Sequence, residues 1–234
     1  MDVAFYNMAR RMRVQNEIGH AYTPAEKDKL IAAAKKLRSH ALYPALMLNL
    51  HTGLRKKETR ALQWSQVDLV NALVVTKKSK TAAGENRPIP LNADVMAALT
   101  EYAKWYLEKF DRLEPSWYVF AYGQPQPSDP TRPVTDFKTA WATVKTNSGV
   151  VGRWHDGRHT WKSDLGSNPA NSEQTIKNMG GWSDTKMLQR YGHTSLTAMR
   201  AAVAALEKKN RKVASGGKNP KAPPPAMPPA TRPN

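Results

Sequence analysis

The spacing of apolar residues changes twice along the chain, and this restricts the fold more than any other feature of the sequence. From Thr23 to Trp64 the spacing is helical: Leu30, Ala33, Ala34 and Leu37 recur on one face, and a second helix from Leu42 to His51 offers Leu46, Leu48 and Leu50 to a core. After Trp64 come short β-prone runs, Val67 to Val70, Leu73 to Thr76 and Arg87 to Leu91. The last two flank a basic hairpin loop that runs from Lys77 to Asn86. From Asn92 the helical period returns, with Val95, Leu99, Tyr102, Tyr106 and Leu107 as its stripe. The chain is therefore expected to be mainly α with a small antiparallel β-sheet, an α+β fold.

Local signals set the boundaries. Thr23-Pro24-Ala25-Glu26 is a capping box with proline in the first turn, so a helix opens there and runs to about Arg38. Pro44 is tolerated in the first turn of the next helix, and Gly53 ends it. A short helix follows with Arg55 at its entrance and Glu58 one turn on, so the two can share a side. Asn92 caps a helix to about Asp111, Tyr118 to Phe120 is a short buried strand or turn, and the proline-rich segment to Pro133 reads as a surface loop. Thr135 is expected to cap a helix through Trp141 and Val144. Further helices are expected at about Arg158 to Leu165, Ser172 to Met179 and Thr185 to Tyr191, with Asn171 and Gln174 as a capping pair and Gly180-Gly181 as a stop. A last helix spans Thr197 to Asn210. This gives three parts: residues 1–22, a basic arm or the remnant of a missing domain; residues 23–210, one folded domain; and residues 211–234, a disordered Pro/Lys-rich tail.

Charge bounds the function. Thirty-six Lys and Arg stand against 19 Asp and Glu, a formal net charge of +17. Such an excess points to a polyanionic partner, because neutralising phosphates releases condensed counterions. No apolar run approaches the roughly twenty residues that span a bilayer, so a membrane partner is not expected. The absence of cysteine excludes disulfides, thiolate zinc sites and cysteine nucleophiles. The six histidines form no His-Glu-x-x-His pattern, and no Gly-rich phosphate loop is present. Neither metal nor nucleotide is expected as a cofactor.

The reactive residues gather between His155 and His193: Trp-His-Asp-Gly-Arg-His-Thr, then Met-Gly-Gly-Trp, then Gln-Arg-Tyr-Gly-His. Phosphodiester cleavage needs a nucleophile, neutralisation of charge on the non-bridging oxygens, and a proton for the departing oxygen. Arginines match phosphate oxygens bidentately. His155 and Arg158 lie three apart, at one edge of a helix start. Each signal alone is unspecific: Tyr191 also fits a packed face with Met187 and Leu188, Trp182 also fits a core, and the hairpin lysines also fit a solvated loop.

In order along the chain, however, Thr52-Gly53-Leu54-Arg55 with Glu58, a hairpin lysine before Arg87-Pro88-Ile89-Pro90-Leu91, His155-Asp156-Gly157-Arg158-His159-Thr160, Gly180-Gly181-Trp182 and Arg190-Tyr191-Gly192-His193 resemble the catalytic domain of the tyrosine recombinase, or phage integrase, family. The resemblance covers most of residues 23–208 and implies a site-specific recombinase that cleaves and rejoins double-stranded DNA through a 3′-phosphotyrosine, without metal or ATP. Tyr191 resembles the nucleophile, Arg55 and Arg158 the phosphate clamp, Lys80 the general acid, His155 the general base and Trp182 the residue in the family's histidine-or-tryptophan place. Glu58 resembles the acidic residue that supports the site. Lys77, Lys78, Arg87, Arg10 and Arg11 are the expected DNA contacts, with Lys77 and Lys78 alternatives to Lys80. Gly157 stands where many relatives have leucine, which weakens the helix start and removes a packing side chain. The family's N-terminal DNA-clamping domain is missing apart from any remnant before Tyr22, as in a catalytic fragment or a short protein. The resemblance further implies a homo-oligomer, a tetramer on synaptic DNA and a monomer or weak oligomer when free, in a cytoplasmic, nucleoid-associated protein of bacterial or phage origin. Other classes remain: a regulatory DNA-binding protein that has kept the fold, and a relaxing enzyme like the type IB topoisomerases.

Overall fold

Thr23 opens the first helix as its sequence predicts. The Thr23 hydroxyl accepts from the Glu26 amide (3.3 Å) while the Glu26 carboxylate accepts from the Thr23 amide (2.8 Å), and Pro24 takes the first turn. The computed structural model describes residues 19–77, 84–123 and 125–182, all within one compact unit. The helices expected over Thr185 to Tyr191 and Thr197 to Asn210, the arginines of the arm and the tail lie outside these residues.

In chain order the elements are α1 (Pro24–Lys35), α2 (Leu42–Thr52), α3 (Lys56–Arg60), β1 (Val67–Asp68), β2 (Leu73–Val75), β3 (Pro88–Pro90), α4 (Ala93–Phe110), β4 (Ala121–Tyr122), β5 (Asp129–Pro133), α5 (Lys138–Ser148), α6 (Asp156–Ser167) and α7 (Glu173–Gly180). Helix α2 is the hub. Leu42, Leu46, Leu48 and Leu50 are all at most 3% exposed, and Ala45 and Asn49 are buried with them. A helix apolar on every side has to be surrounded, and α1, α4 and α6 all pack on α2. Each buried leucine contributes roughly 1.5–3 kcal/mol to holding them there. Strands β1, β2 and β3 form an antiparallel sheet in which Val74 pairs with Val67 on one side and Ile89 on the other. Val74 and Ile89 are fully buried, which sets the inward face of the sheet.

Four local expectations change. The proline-rich segment before Pro133 is a strand, β5, paired with β4. A two-stranded ribbon tolerates proline at positions where no amide is required, and the Pro130 carbonyl accepts from the Tyr118 amide (2.9 Å). Helix α5 begins at Lys138, with Phe137 rather than Thr135 at its N-cap. The Asp136 carboxylate takes the Lys138 amide there. Ser172 caps α7 by accepting from the Thr175 amide (3.1 Å), in place of the expected Asn171 and Gln174 pair. Tyr22, placed outside the folded domain by the sequence, is 3% exposed, donates its amide to the Thr160 hydroxyl oxygen (2.9 Å) and donates its hydroxyl to the Arg153 carbonyl (2.9 Å).

Gly157 has a positive reason to be glycine. The Asn49 amide head lies 1.6 Å from where a Cβ on Gly157 would sit. Asn49 cannot withdraw freely, because its side chain accepts from the Trp154 indole (2.9 Å) and donates to the Trp154 carbonyl (3.2 Å). The space that a leucine would fill is thus used to pin the start of α6 to α2. Gly157→Ala is expected to destabilise the fold by about 1–3 kcal/mol in urea unfolding through overpacking. In the Asn49→Ala background the same change should cost less, because the colliding group is gone.

Candidate active site

The site is built where α3, β3, α6 and the end of α7 meet. Arg55 is the N-cap residue of α3, in an extended conformation that turns its side chain away from the helix. Glu58, one turn on, accepts from the Arg55 amide (2.9 Å) and from the Arg55 guanidinium (2.7 Å), so one carboxylate both caps the helix and holds the arginine. The opposite side of Glu58 is taken by Arg87, at 2.9 and 3.4 Å. Both Glu58 and Arg87 side chains are 5% exposed. A buried carboxylate is tolerated only when its charge is paired and its lone pairs filled. Two arginines satisfy Glu58.

Three guanidinium groups converge on the end of α7. Arg87 donates through Nε to the Met179 carbonyl (2.9 Å), Arg158 to the Gly180 carbonyl (2.5 Å) and Arg55 to the Gly181 carbonyl (3.1 Å). These acceptors are available because α7 closes in a Schellman turn, Gly181 to Asn178 and Trp182 to Lys177, both at 3.2 Å. Gly181 has φ +62°, and a Cβ there would also meet Gly84 at 2.7 Å and Arg87 at 2.8 Å. The negative end of the α7 dipole adds to the attraction. Arg158 is 4% exposed and also donates to the Gly53 carbonyl, where α2 ends in a left-handed residue. Trp182 covers Arg158, its ring 4.5 Å from the guanidinium carbon.

Electrostatics favour an anion here. Three guanidinium groups stand against the single Glu58 carboxylate. Burial, followed by the charges of Arg55 and Arg87, lowers Arg158 to about 9, which still leaves it protonated at neutral pH. His155 sits at the α6 N-cap with its ring 4.8 Å from that of His159, edge to face. Lost hydration and then the Arg158 charge hold His155 below the usual histidine range, so it is neutral and able to accept a proton at pH 7. His159 is pushed down to about 4 by burial and by His155.

The expected site residues divide as follows. Arg55, Glu58, His155, Arg158 and Trp182 are brought together, although α3 and α6 are far apart in sequence. Lys77 is exposed at the end of β2 and donates to Gln63 and Ser65, both at 3.0 Å. Lys78, Lys80, Tyr191, Arg10 and Arg11 lie outside the described residues. Arg87 departs from expectation: its charge and place in the sequence make it a DNA contact, but its guanidinium is buried on Glu58. The signal was available in the alternation of strand residues, which puts Arg87 on the inward face with Ile89 and Leu91 while Pro88 and Pro90 face out. Among the described residues no three histidine, aspartate or glutamate side chains form a group that could hold a metal ion, and no helix is long and apolar enough to cross a membrane.

Residues 21–197 match the model of the phage integrase family. The chain belongs to that family. Among curated relatives it is 29% identical to the integrase of Salmonella phage P22 over 153 residues, which is 62% of this chain and 37% of that protein. It is 26% identical to the tyrosine recombinase XerC of Pediococcus pentosaceus over 204 residues, 81% of this chain and 63% of that one. The chain thus spans less than two thirds of the length of these relatives. Among solved structures, the XerA recombinase superposes with a TM-score of 0.63 at 20% identity, covering 81% of this chain and 64% of that one. The catalytic domain of bacteriophage HP1 integrase does so with a TM-score of 0.57 at 19% identity, covering 80% of this chain and 94% of that domain. These likenesses establish the fold of a tyrosine recombinase catalytic domain, mainly α with small antiparallel sheets.

Removing Glu58 leaves the Arg87 charge buried and uncompensated, so Glu58→Ala is expected to cost about 3–5 kcal/mol in chemical unfolding. Acid should also weaken the fold through His159. Its value in the folded protein is about 4 against an ordinary 6.5, so its contribution is complete above pH 6.5 and is lost as pH falls towards 4. Thermal unfolding followed across that window should show a loss of about 2 kcal/mol that His159→Asn lacks, less than the full linkage value because the ring keeps partial solvent contact.

Proposed function

We propose that this chain is the catalytic part of a site-specific DNA recombinase that cleaves and rejoins double-stranded DNA through a covalent tyrosine intermediate. The observation that carries this reading is the convergence of Arg55 and Arg158 on neighbouring carbonyls, Gly181 and Gly180, beside neutral His155 and under the indole of Trp182. Two arginines side by side, with more positive than negative charge, suit a phosphodiester. They lower the barrier by stabilising charge that grows on the non-bridging oxygens in the transition state.

The chemistry then follows from the residues. The Tyr191 hydroxyl attacks phosphorus, a bond to the tyrosine oxygen forms, and the bond to the 5′ oxygen breaks. His155 takes the tyrosine proton, which an ordinary pKa near 10 would otherwise retain at neutral pH. Lys80 supplies a proton to the departing 5′ oxygen. The ester energy is kept in the 3′-phosphotyrosine, so a 5′-hydroxyl of another strand can reverse the step and join to it without ATP. Trp182 holds Arg158 in place and offers an indole donor to a phosphate oxygen. Strand exchange requires paired sites, so the active assembly is a tetramer on synaptic DNA. Two of the relatives named above carry the names integrase and tyrosine recombinase, which supports this reading.

A nicked suicide duplex carrying the cognate site should trap a protein–DNA complex that survives denaturation. Tyr191→Phe should abolish that complex; its persistence would falsify the assignment of the nucleophile. Arg55→Ala or Arg158→Ala should lower the cleavage rate by about 10²–10³, more than they weaken binding, because the clamp acts mainly on transition-state charge. Relaxation of supercoiled plasmid without site preference would instead identify a topoisomerase-like enzyme.

A further inference from the structure

Beside the arginine site lies a second basic feature that the cleavage chemistry does not use. Lys56, Phe137, Lys138, Trp141, Lys145, Gly152, Arg153 and Trp154 line a cavity of about 240 Å³, several times the ~30 Å³ that one water occupies in the liquid. Four cationic side chains surround it. Two carboxylates answer them, Asp136 on Lys56 at 2.7 Å and Asp156 on Arg153 at 3.1 Å. Lys138 and Lys145, about two turns apart on α5, make no ion pair among the described residues. The walls between the charges are the indoles of Trp141 and Trp154, packed edge to face with centroids 5.5 Å apart. Trp141 is 7% exposed, and its Nε1 has no acceptor among the described residues. A buried donor without an acceptor is uncommon in a folded protein, and here it belongs to a residue that lines a cation-bearing hollow.

The hollow adjoins the arginine site along the backbone. Lys56 directly follows Arg55, and Arg153 precedes His155 by two positions. Asp156, which pairs with Arg153, is 2% exposed and accepts from the Arg153 amide as well (2.8 Å), so Arg153 is fixed to the start of α6. A strand whose phosphate rests between Arg55 and Arg158 must continue over the neighbouring surface. That surface presents this cavity, with two cations left over after its carboxylates are paired.

We infer that the cavity lined by Lys56, Lys138, Lys145, Arg153 and Trp141 seats a second phosphodiester of the bound duplex, flanking the one that is cleaved. This rests on the recombinase reading above and adds a subsite to it. Lys138 and Lys145 supply the uncompensated charge, Lys56 and Arg153 place the cavity close in the chain to Arg55 and His155, and Trp141 forms the wall between the charges. The contact is to backbone and is therefore indifferent to base sequence.

Salt dependence of binding reads such contacts directly, because each neutralised phosphate steepens the fall of log K with log salt by about 0.9. The full chain is titrated into a labelled duplex of arbitrary sequence at a series of salt concentrations. The double variant Lys138→Gln, Lys145→Gln, which removes the uncompensated charge that neutralises this one phosphate, should give a slope shallower by about 0.9 than the wild type. The control Lys104→Gln, Lys109→Gln removes two exposed lysines of α4 instead and should leave the slope unchanged. Both α5 lysines lie at the surface or partly exposed, so the variant retains the fold, and a thermal melt confirms it. A wild-type slope in the α5 variant, or an equal loss in the α4 control, overturns the subsite while leaving the recombinase reading intact. Absence of any salt-dependent DNA binding by the wild type overturns both.

Discussion

Glu58 is the charge on which the rest of the site depends. A carboxylate that is almost fully buried is costly unless it is paired and hydrogen-bonded, and its partners are an arginine from its own helix cap and an arginine at the entrance of β3. Those two arginines then reach the last carbonyls of α7, where Arg158 joins them from α6. One carboxylate and the end of one helix therefore tie together four elements that the backbone alone does not connect. The sheet is needed because Arg87 immediately precedes β3, and α2 is needed because it seats α6.

The same node has the properties that phosphoryl chemistry requires. Its net positive charge is held partly out of water, where a charge on a reacting phosphate is felt strongly. The cations are fixed before substrate arrives, so little reorganisation accompanies reaction. The neutral histidine beside them is a consequence of the arginines as well as of burial, since positive neighbours oppose a proton on its ring. Trp182 closes over Arg158 at the point where the chain leaves α7.

Much of this was legible in the residues. The Thr23 and Asn92 caps, the left-handed stop at Gly53, the short helix that Arg55 opens and the three strand runs all follow from local rules, and the structure has them. The ordered motifs pointed to the family, and the arginine, histidine and tryptophan positions they marked come together. The failures were tertiary. Charge alone makes Arg87 a DNA contact, whereas its inward register beside Ile89 buries it on Glu58. Gly157 looked like a weakness of α6 until Asn49, over a hundred positions away in effect on another helix, filled its space. Tyr22 was assigned to an arm because nothing local shows that Thr160 and Arg153 wait for it.

By itself the sequence determined the kinds of element, their approximate ends, the excess of positive charge and the list of groups able to handle a phosphodiester. These depend on periodicity, capping and side-chain chemistry, which act over a few residues. The tertiary structure decided which arginines would be neighbours, which of them would be buried, which carbonyls they would hold, and that a second basic hollow would lie beside them. Those outcomes depend on distances between residues remote in the chain, set only when α2 is enclosed and the Glu58 charge is paired. Local rules carry no information about such distances.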